Sequence, residues 1–247
     1  MELVPPLTLI KKVGCNNAED YQGVGRHFLN LFKEYGLLRP EDRVLDVGCG
    51  CGRIAVALPE HLTSGSYDGF DIIPELVEWC QREITSRDAR FKFQQADVFN
   101  KTYHPRGRWQ AKDYRFPFED GAFDFTFLTS VFTHMLPVDV EHYVAEIVRT
   151  LKPGGRVLLT FFLLNEESLR LKDTKASRIS LKKSYLNGQV LVMKRWKPEA
   201  VVGYPEQTVR ALLQRHGLKI REPIMFGSWC GRVGTLSFQD VVMAERP

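Results

Sequence analysis

The chain has 247 residues, 44% of them hydrophobic and 26% charged, with a formal net charge of +4. This composition fits a globular protein of one large domain or two small ones, and it excludes a disordered chain, a collagen and a coiled coil. No run approaches the roughly 18 consecutive apolar residues that a membrane helix needs, and Glu2, Pro5 and Pro6 spoil the pattern of a signal peptide, so the sequence predicts a cytoplasmic chain with no transmembrane segment.

In chain order, Ala18, Tyr21, Val24, Phe28, Leu31, Phe32 and Tyr35 recur at helical spacing between Asn16 and Gly36, which predicts an N-terminal helical cap within residues 1–40. Arg43 to Gly48 is a short β-branched run closed by glycines, followed by helical spacing from Arg53 to Leu62. The pattern repeats with an extended Gly65–Ile72 and a helix opening at Pro74, where the first turn tolerates proline. Phe91 to Val98 alternates like a strand, and Phe99 to Phe118 reads as a long loop. Phe123–Val131 is a buried strand, Val138–Leu151 a helix, Lys152–Gly155 a turn and Arg156–Leu164 a further strand. From Asn165 to Ala200 nine Lys/Arg face four acids, and Leu186-Asn-Gly-Gln-Val carries the signature of a tight hairpin. A helix over Glu206–His216, an extended Leu218–Phe226 and a closing strand from Leu236 complete the chain. Strands alternating with helices predict a parallel sheet.

Asp46-Val-Gly48-Cys49-Gly50-Cys-Gly52 stands between a predicted strand and helix, where missing side chains let backbone approach a ligand. The spacing is neither that of a dinucleotide-binding loop, since position 53 is Arg, nor that of a phosphate-binding loop, which needs a following Gly-Lys-Ser/Thr. Asp46 inside the loop would repel a phosphate and suits a ligand with an ammonium or sulfonium group. Asp71, 19 residues beyond Gly52, ends the second strand, where a carboxylate can accept two hydrogen bonds from a diol; Asp97-Val98 follows the third. Each acid has a plainer reading, Asp71 as a helix cap and Asp97 as a loop acid.

With these residues in this order, and with FPFEDGAFDFTFLTSVFTHM before LKPGG, the chain resembles the class I S-adenosylmethionine-dependent methyltransferases from about Val44 to Val242. The resemblance implies a Rossmann-like α/β three-layer sandwich, its seven-stranded sheet mostly parallel with an antiparallel last strand, plus a hairpin insertion after the fifth strand. It implies a single methyltransferase domain over 1–247, with the basic insertion 165–200 on the acceptor side. S-adenosylmethionine would be the cofactor and S-adenosylhomocysteine the product, held by Asp46, Gly48, Cys49, Gly50, Gly52, Asp71, Ile72, Asp97, Val98 and Thr129.

His134 is the expected general base if the acceptor must lose a proton, with His27 and His104 as alternatives. Five cysteines without a CxxC pair read as reduced thiols, and only Asp124 and Asp139 lie near the fourth strand, so no metal is expected. The chain lacks the Asp/Asn-Pro-Pro-aromatic sequence of amino-base methylation and a cysteine placed for cytosine chemistry. The expected acceptor is therefore a hydroxyl or amine of a small molecule or glycan, one that the basic insertion would suit if anionic, and nucleic acid is not an expected partner. RNA methylation and a non-catalytic, cofactor-binding regulatory role remain the alternatives. The basic insertion also has a plain reading as a solvated hairpin whose charges guard an exposed edge.

Overall fold

The computed structural model describes residues 3–247, which form two compact units: residues up to Tyr114 with Ala122–Phe127, and Arg115–Gly121 with Leu128–Pro247.

The first unit begins with helices α1 (Leu7–Lys12) and α2 (Ala18–Glu34). Asn17 caps α2 by accepting the Asp20 N–H at 2.8 Å, and its apolar stripe buries Tyr21, Phe28, Leu31 and Phe32. Strands β1 (Arg43–Val47), β2 (Ser66–Asp71), β3 (Phe91–Gln95) and β4 (Phe123–Leu128) follow, with helix α3 (Pro74–Cys80) between β2 and β3. β1 pairs in parallel with both β2 and β4, and β2 with β3. Phe32 packs against Phe125 and Phe127 with ring centroids 5.1 and 4.5 Å apart, an aromatic core between α2 and β4.

The second unit carries α4 (Pro137–Thr150), β5 (Leu151–Phe161), β6 (Leu163–Leu164), α5 (Glu166–Leu171), β7 (Lys183–Tyr185), β8 (Val190–Val192), β9 (Val202–Pro205), α6 (Glu206–Arg215), β10 (Lys219–Met225) and β11 (Asp240–Glu245). The seven-stranded sheet has the order β10-β11-β5-β4-β1-β2-β3, and β11 runs antiparallel to both neighbours, as expected of the last strand. A second sheet of order β6-β9-β8-β7 contains the hairpin. Its turn sits at the expected place, with Leu186, Asn187 and Gly188 at φ of 48°, 54° and 90°. A buried carboxylate organises this unit: Asp240 accepts from the backbone N–H of Leu163 and Gly227 and from Trp229 Nε1, at 2.6–2.7 Å.

Several elements differ from the sequence reading. The helix expected over Arg53–Leu62 is a short 3₁₀ helix, Ala55–Glu60, because Pro59 inside it has no N–H for an α-helical ladder. The helix opening at Pro74 passes into a π turn at Gln81–Thr85. Lys152–Gly155, expected as a turn, continues β5: Gly154 N–H donates to Arg246 O, and Arg246 N–H to Gly155 O. Helices α1 and α5 and strand β9 were not expected, and Leu163–Leu164, expected as the end of the strand from Arg156, form β6 of the second sheet.

Candidate active site

Strand β1 delivers Asp46 to its carboxyl end, and the chain then turns through Gly48, Gly50 and Gly52 at φ of 83°, 55° and 71°. The amides of this loop are already engaged. Gly48 and Cys49 N–H donate to Phe70 O, Gly50 N–H to Asp71 Oδ2 at 2.8 Å, and Gly52 N–H to Cys49 O. A phosphate-binding loop presents free N–H groups; these four are spent on the protein, in keeping with Asp46, an acid, at the loop's entrance.

Asp46 is buried at 2% exposure, with Oδ2 accepting the Tyr67 hydroxyl at 2.7 Å and Oδ1 buried without a partner. Burial pushes its pKa up to about 8; the Tyr67 hydrogen bond opposes that shift and nearby Asp71 adds to it. Tyr67 reaches Asp46 across Gly69, where a Cβ would lie 2.7 Å from the tyrosine oxygen. Sequence reasoning missed Tyr67; its signal was its position two residues before Gly69, the residue that pairs with Asp46.

Asp71 ends β2 and links loop to helix: Oδ2 takes the Gly50 N–H, and Oδ1 takes the Ile73 N–H just ahead of α3. The plainer role, serving the helix entrance, is therefore real, but it uses one oxygen. A carboxylate has about four acceptor positions, so the backbone donors do not exhaust its capacity to accept from a ligand hydroxyl. Burial raises the Asp71 pKa while the Ile73, Gly50 and Ile72 amides hold it down. Ile72, half-buried, follows directly.

Asp97 and Val98 sit next to this group, because Ala96 N–H donates to Asp71 O at 2.9 Å. Val98 is buried; the Asp97 side chain is half exposed and binds His104 Nε2 at 2.9 Å, which holds the Asp97 carboxyl below its ordinary pKa. The long loop is thereby pinned to the end of β3, with Trp109 N–H donating to Asp97 O and Phe99 N–H to Trp109 O.

The N-terminal segment reaches the glycine loop as well. Arg53 Nη1 donates to Val13 O at 2.8 Å, the Tyr21 hydroxyl donates to Cys51 O, and Lys12 pairs with Glu75. The Cβ direction of Gly50 points at Val13 Cγ1, 2.6 Å away. A side chain there would collide with protein. Cys49 and Cys51 are buried free thiols whose pKa values burial raises, so they are unreactive neighbours of the loop. Among the described residues no cluster of His, Cys, Asp or Glu is arranged to hold a metal.

The first unit thus brings together Asp46, Gly48, Cys49, Gly50, Gly52, Asp71, Ile72, Asp97 and Val98. Thr129 and His134 belong to the second. Thr129 is buried and precedes Ser130, a non-glycine residue at φ 61° whose N–H is held by the buried Thr160 hydroxyl at 2.8 Å. His134 closes the short 3₁₀ helix Phe132–His134 and its Nδ1 bonds Glu199 O at 3.1 Å. A carbonyl only accepts, so Nδ1 carries the proton and Nε2 presents a lone pair. Burial lowers the His134 pKa, partly offset by hydrogen bonds to the backbone of Glu199 and Ala200.

Residues 44–155 match the model of a family described as a methyltransferase domain. The chain is similar to demethylmenaquinone methyltransferase of Thermus thermophilus, 27% identical over 129 residues, covering 52% of this chain and 51% of that protein. It is also similar to phosphoethanolamine N-methyltransferase 2 of Caenorhabditis elegans, 24% identical over 224 residues, covering 83% of this chain and 47% of that protein. The chain spans about half the length of these curated relatives. Among solved structures, a SAM-dependent methyltransferase from Aquifex aeolicus matches with a TM-score of 0.58 at 18% identity, covering 98% of this chain and 100% of that one, a likeness of fold.

Proposed function

We propose that this chain, which belongs to the class I S-adenosylmethionine-dependent methyltransferases, transfers a methyl group to a hydroxyl or amine of a small molecule or glycan. The observation that carries the reading is the buried Asp46 carboxyl with an unpartnered oxygen, set beside a glycine loop whose amides are engaged and an Asp71 carboxylate with acceptor capacity left. S-adenosylmethionine supplies an electrophilic methyl on a sulfonium, a cationic group that a buried carboxyl favours and a phosphate cradle does not. In this reading Asp71 accepts the ribose hydroxyls, Gly48 to Gly52 give close backbone approach, and Asp97 and Val98 meet the adenine.

His134 takes the acceptor's proton on Nε2. Its Nδ1–Glu199 bond fixes that tautomer, and the lowered pKa keeps the imidazole neutral near physiological pH. Glu199 ends the basic insertion, so the same bond ties the insertion to His134 and makes it a wall of the acceptor's site.

The test is transfer of a labelled methyl group from S-adenosylmethionine into a cell extract divided into small-molecule, glycan, lipid and RNA fractions. Label in the small-molecule or glycan fraction, lost with His134→Ala, supports the reading. Label in RNA alone, or no label with the donor demonstrably bound, refutes it.

A further inference from the structure

The basic insertion holds a feature that charge alone does not explain. β7 is the outer strand of the smaller sheet, and Lys183 and Ser184 on it, with Lys182 just before it, are exposed. Lysines on an edge strand protect it from pairing with another chain. That accounts for Lys182 and Lys183, and Lys182 also lies 3.8 Å from Asp173. It does not account for Trp196, which is 75% exposed, or for Leu186 at the hairpin tip, 42% exposed. An edge guarded against association gains nothing from a bare indole.

The hairpin beneath these residues is firmly built. Val190 and Val192 of β8 and the preceding Leu181 are fully buried, and Leu191 and Val192 pair with Gly203 and Val202 of β9. Arg195 Nε donates to Ser184 O at 3.1 Å, which folds the turn carrying Trp196 back against β7. Lys194, Arg195 and Trp196 are therefore presented on the same rigid edge as Lys183, and Lys194 Nζ stands 5.3 Å from the centre of the Trp196 ring.

We infer that this edge docks the protein on an anionic lipid surface, with Trp196 seated at the headgroup level and Lys183, Lys194 and Arg195 meeting lipid phosphates. An indole with an apolar body and a polar N–H is suited to that layer, and nearby cations supply the attraction to anionic lipid. Single-stranded RNA fits less well. Binding a strand by stacking uses successive aromatic faces, and Trp196 is the one largely exposed aromatic ring of this edge, with one of its faces already under Lys194. Arg195 is the one guanidinium among these cations, and it is tied to Ser184 O.

The test is sedimentation of the full chain with vesicles of phosphatidylcholine alone and of phosphatidylcholine mixed with phosphatidylglycerol. Binding to the mixed vesicles and not to the neutral ones is expected, weakening as salt is raised. Each of Lys183→Glu and Lys194→Glu should lower partitioning by at least about five-fold, the equivalent of one cation at such a surface. Trp196→Ala should lower it at unchanged charge. Melting temperatures equal to wild type establish that the variants fold. Equal binding to neutral and mixed vesicles, no binding to either, wild-type binding by Trp196→Ala, or tighter binding to poly(U) than to the mixed vesicles each overturns the inference.

Discussion

The most informative single substitution is Asp46→Asn, which keeps the side chain's shape and its acceptor for the Tyr67 hydroxyl but removes the ionisable group. Burial raises the Asp46 pKa to about 8, against about 3.9 for an aspartate in the unfolded chain. A group whose pKa is raised by folding contributes stability that is fully present below the unfolded value and is lost as pH rises towards the folded one. Within that window each pH unit costs about 1.4 kcal/mol, so from pH 5 to pH 8 the wild type should lose about 3–4 kcal/mol that the variant retains. Asp71 and Asp240, whose pKa values are also raised, titrate in both proteins and largely cancel in the difference. Urea melts of both proteins at several pH values in this range measure the effect. The expected result is a stability difference that grows with pH in favour of Asp46→Asn. A difference independent of pH would refute the placement of Asp46 as a buried, mostly protonated carboxyl.

Other consequences follow from the same geometry. Binding of S-adenosylmethionine near neutral pH should release a proton from Asp46, seen as a calorimetric enthalpy that changes with buffer, and S-adenosylhomocysteine, lacking the sulfonium, should release less. Asp71→Ala should weaken S-adenosylhomocysteine binding by about 3–6 kcal/mol, the loss of two hydrogen bonds to a charged acceptor; unchanged affinity would reduce Asp71 to a helix-entrance role. His134→Ala should lower kcat by about 10²–10⁴ with donor affinity intact. Wild-type activity should fall as pH drops below the ordinary imidazole range, because burial lowers the His134 pKa and only the neutral ring accepts a proton; a flat acid limb would oppose that role.

What was legible in the sequence was local. The β-branched run before Gly48, the Asn-Gly pair in the hairpin and the apolar stripe of α2 each encode their structure within a few residues, and each forms where expected. The glycine loop follows β1 and Asp71 ends β2 at the positions the local pattern gives them. The rest depends on partners distant in sequence. Tyr67 reaches Asp46 only once β1 and β2 are in register, Val13 meets Gly50 across 37 residues, and His134 finds Glu199 65 residues away. Strands of two and four residues such as β6 and β9 are too short to show a period, and β5 runs on through Lys152–Gly155 only because Arg246 pairs with that segment.

As proposed here, Asp46, the glycine loop and Asp71 together bind the methyl donor. Calorimetric titration with S-adenosylhomocysteine, comparing wild type with Gly50→Val, tests this most directly. A valine at φ 55° is strained, and its Cβ meets Val13, so the loop must move. Saturable one-to-one binding by wild type is expected, with loss of that binding in a Gly50→Val protein that still melts cooperatively. Absence of binding to folded wild type, or equal binding by the variant, would contradict it.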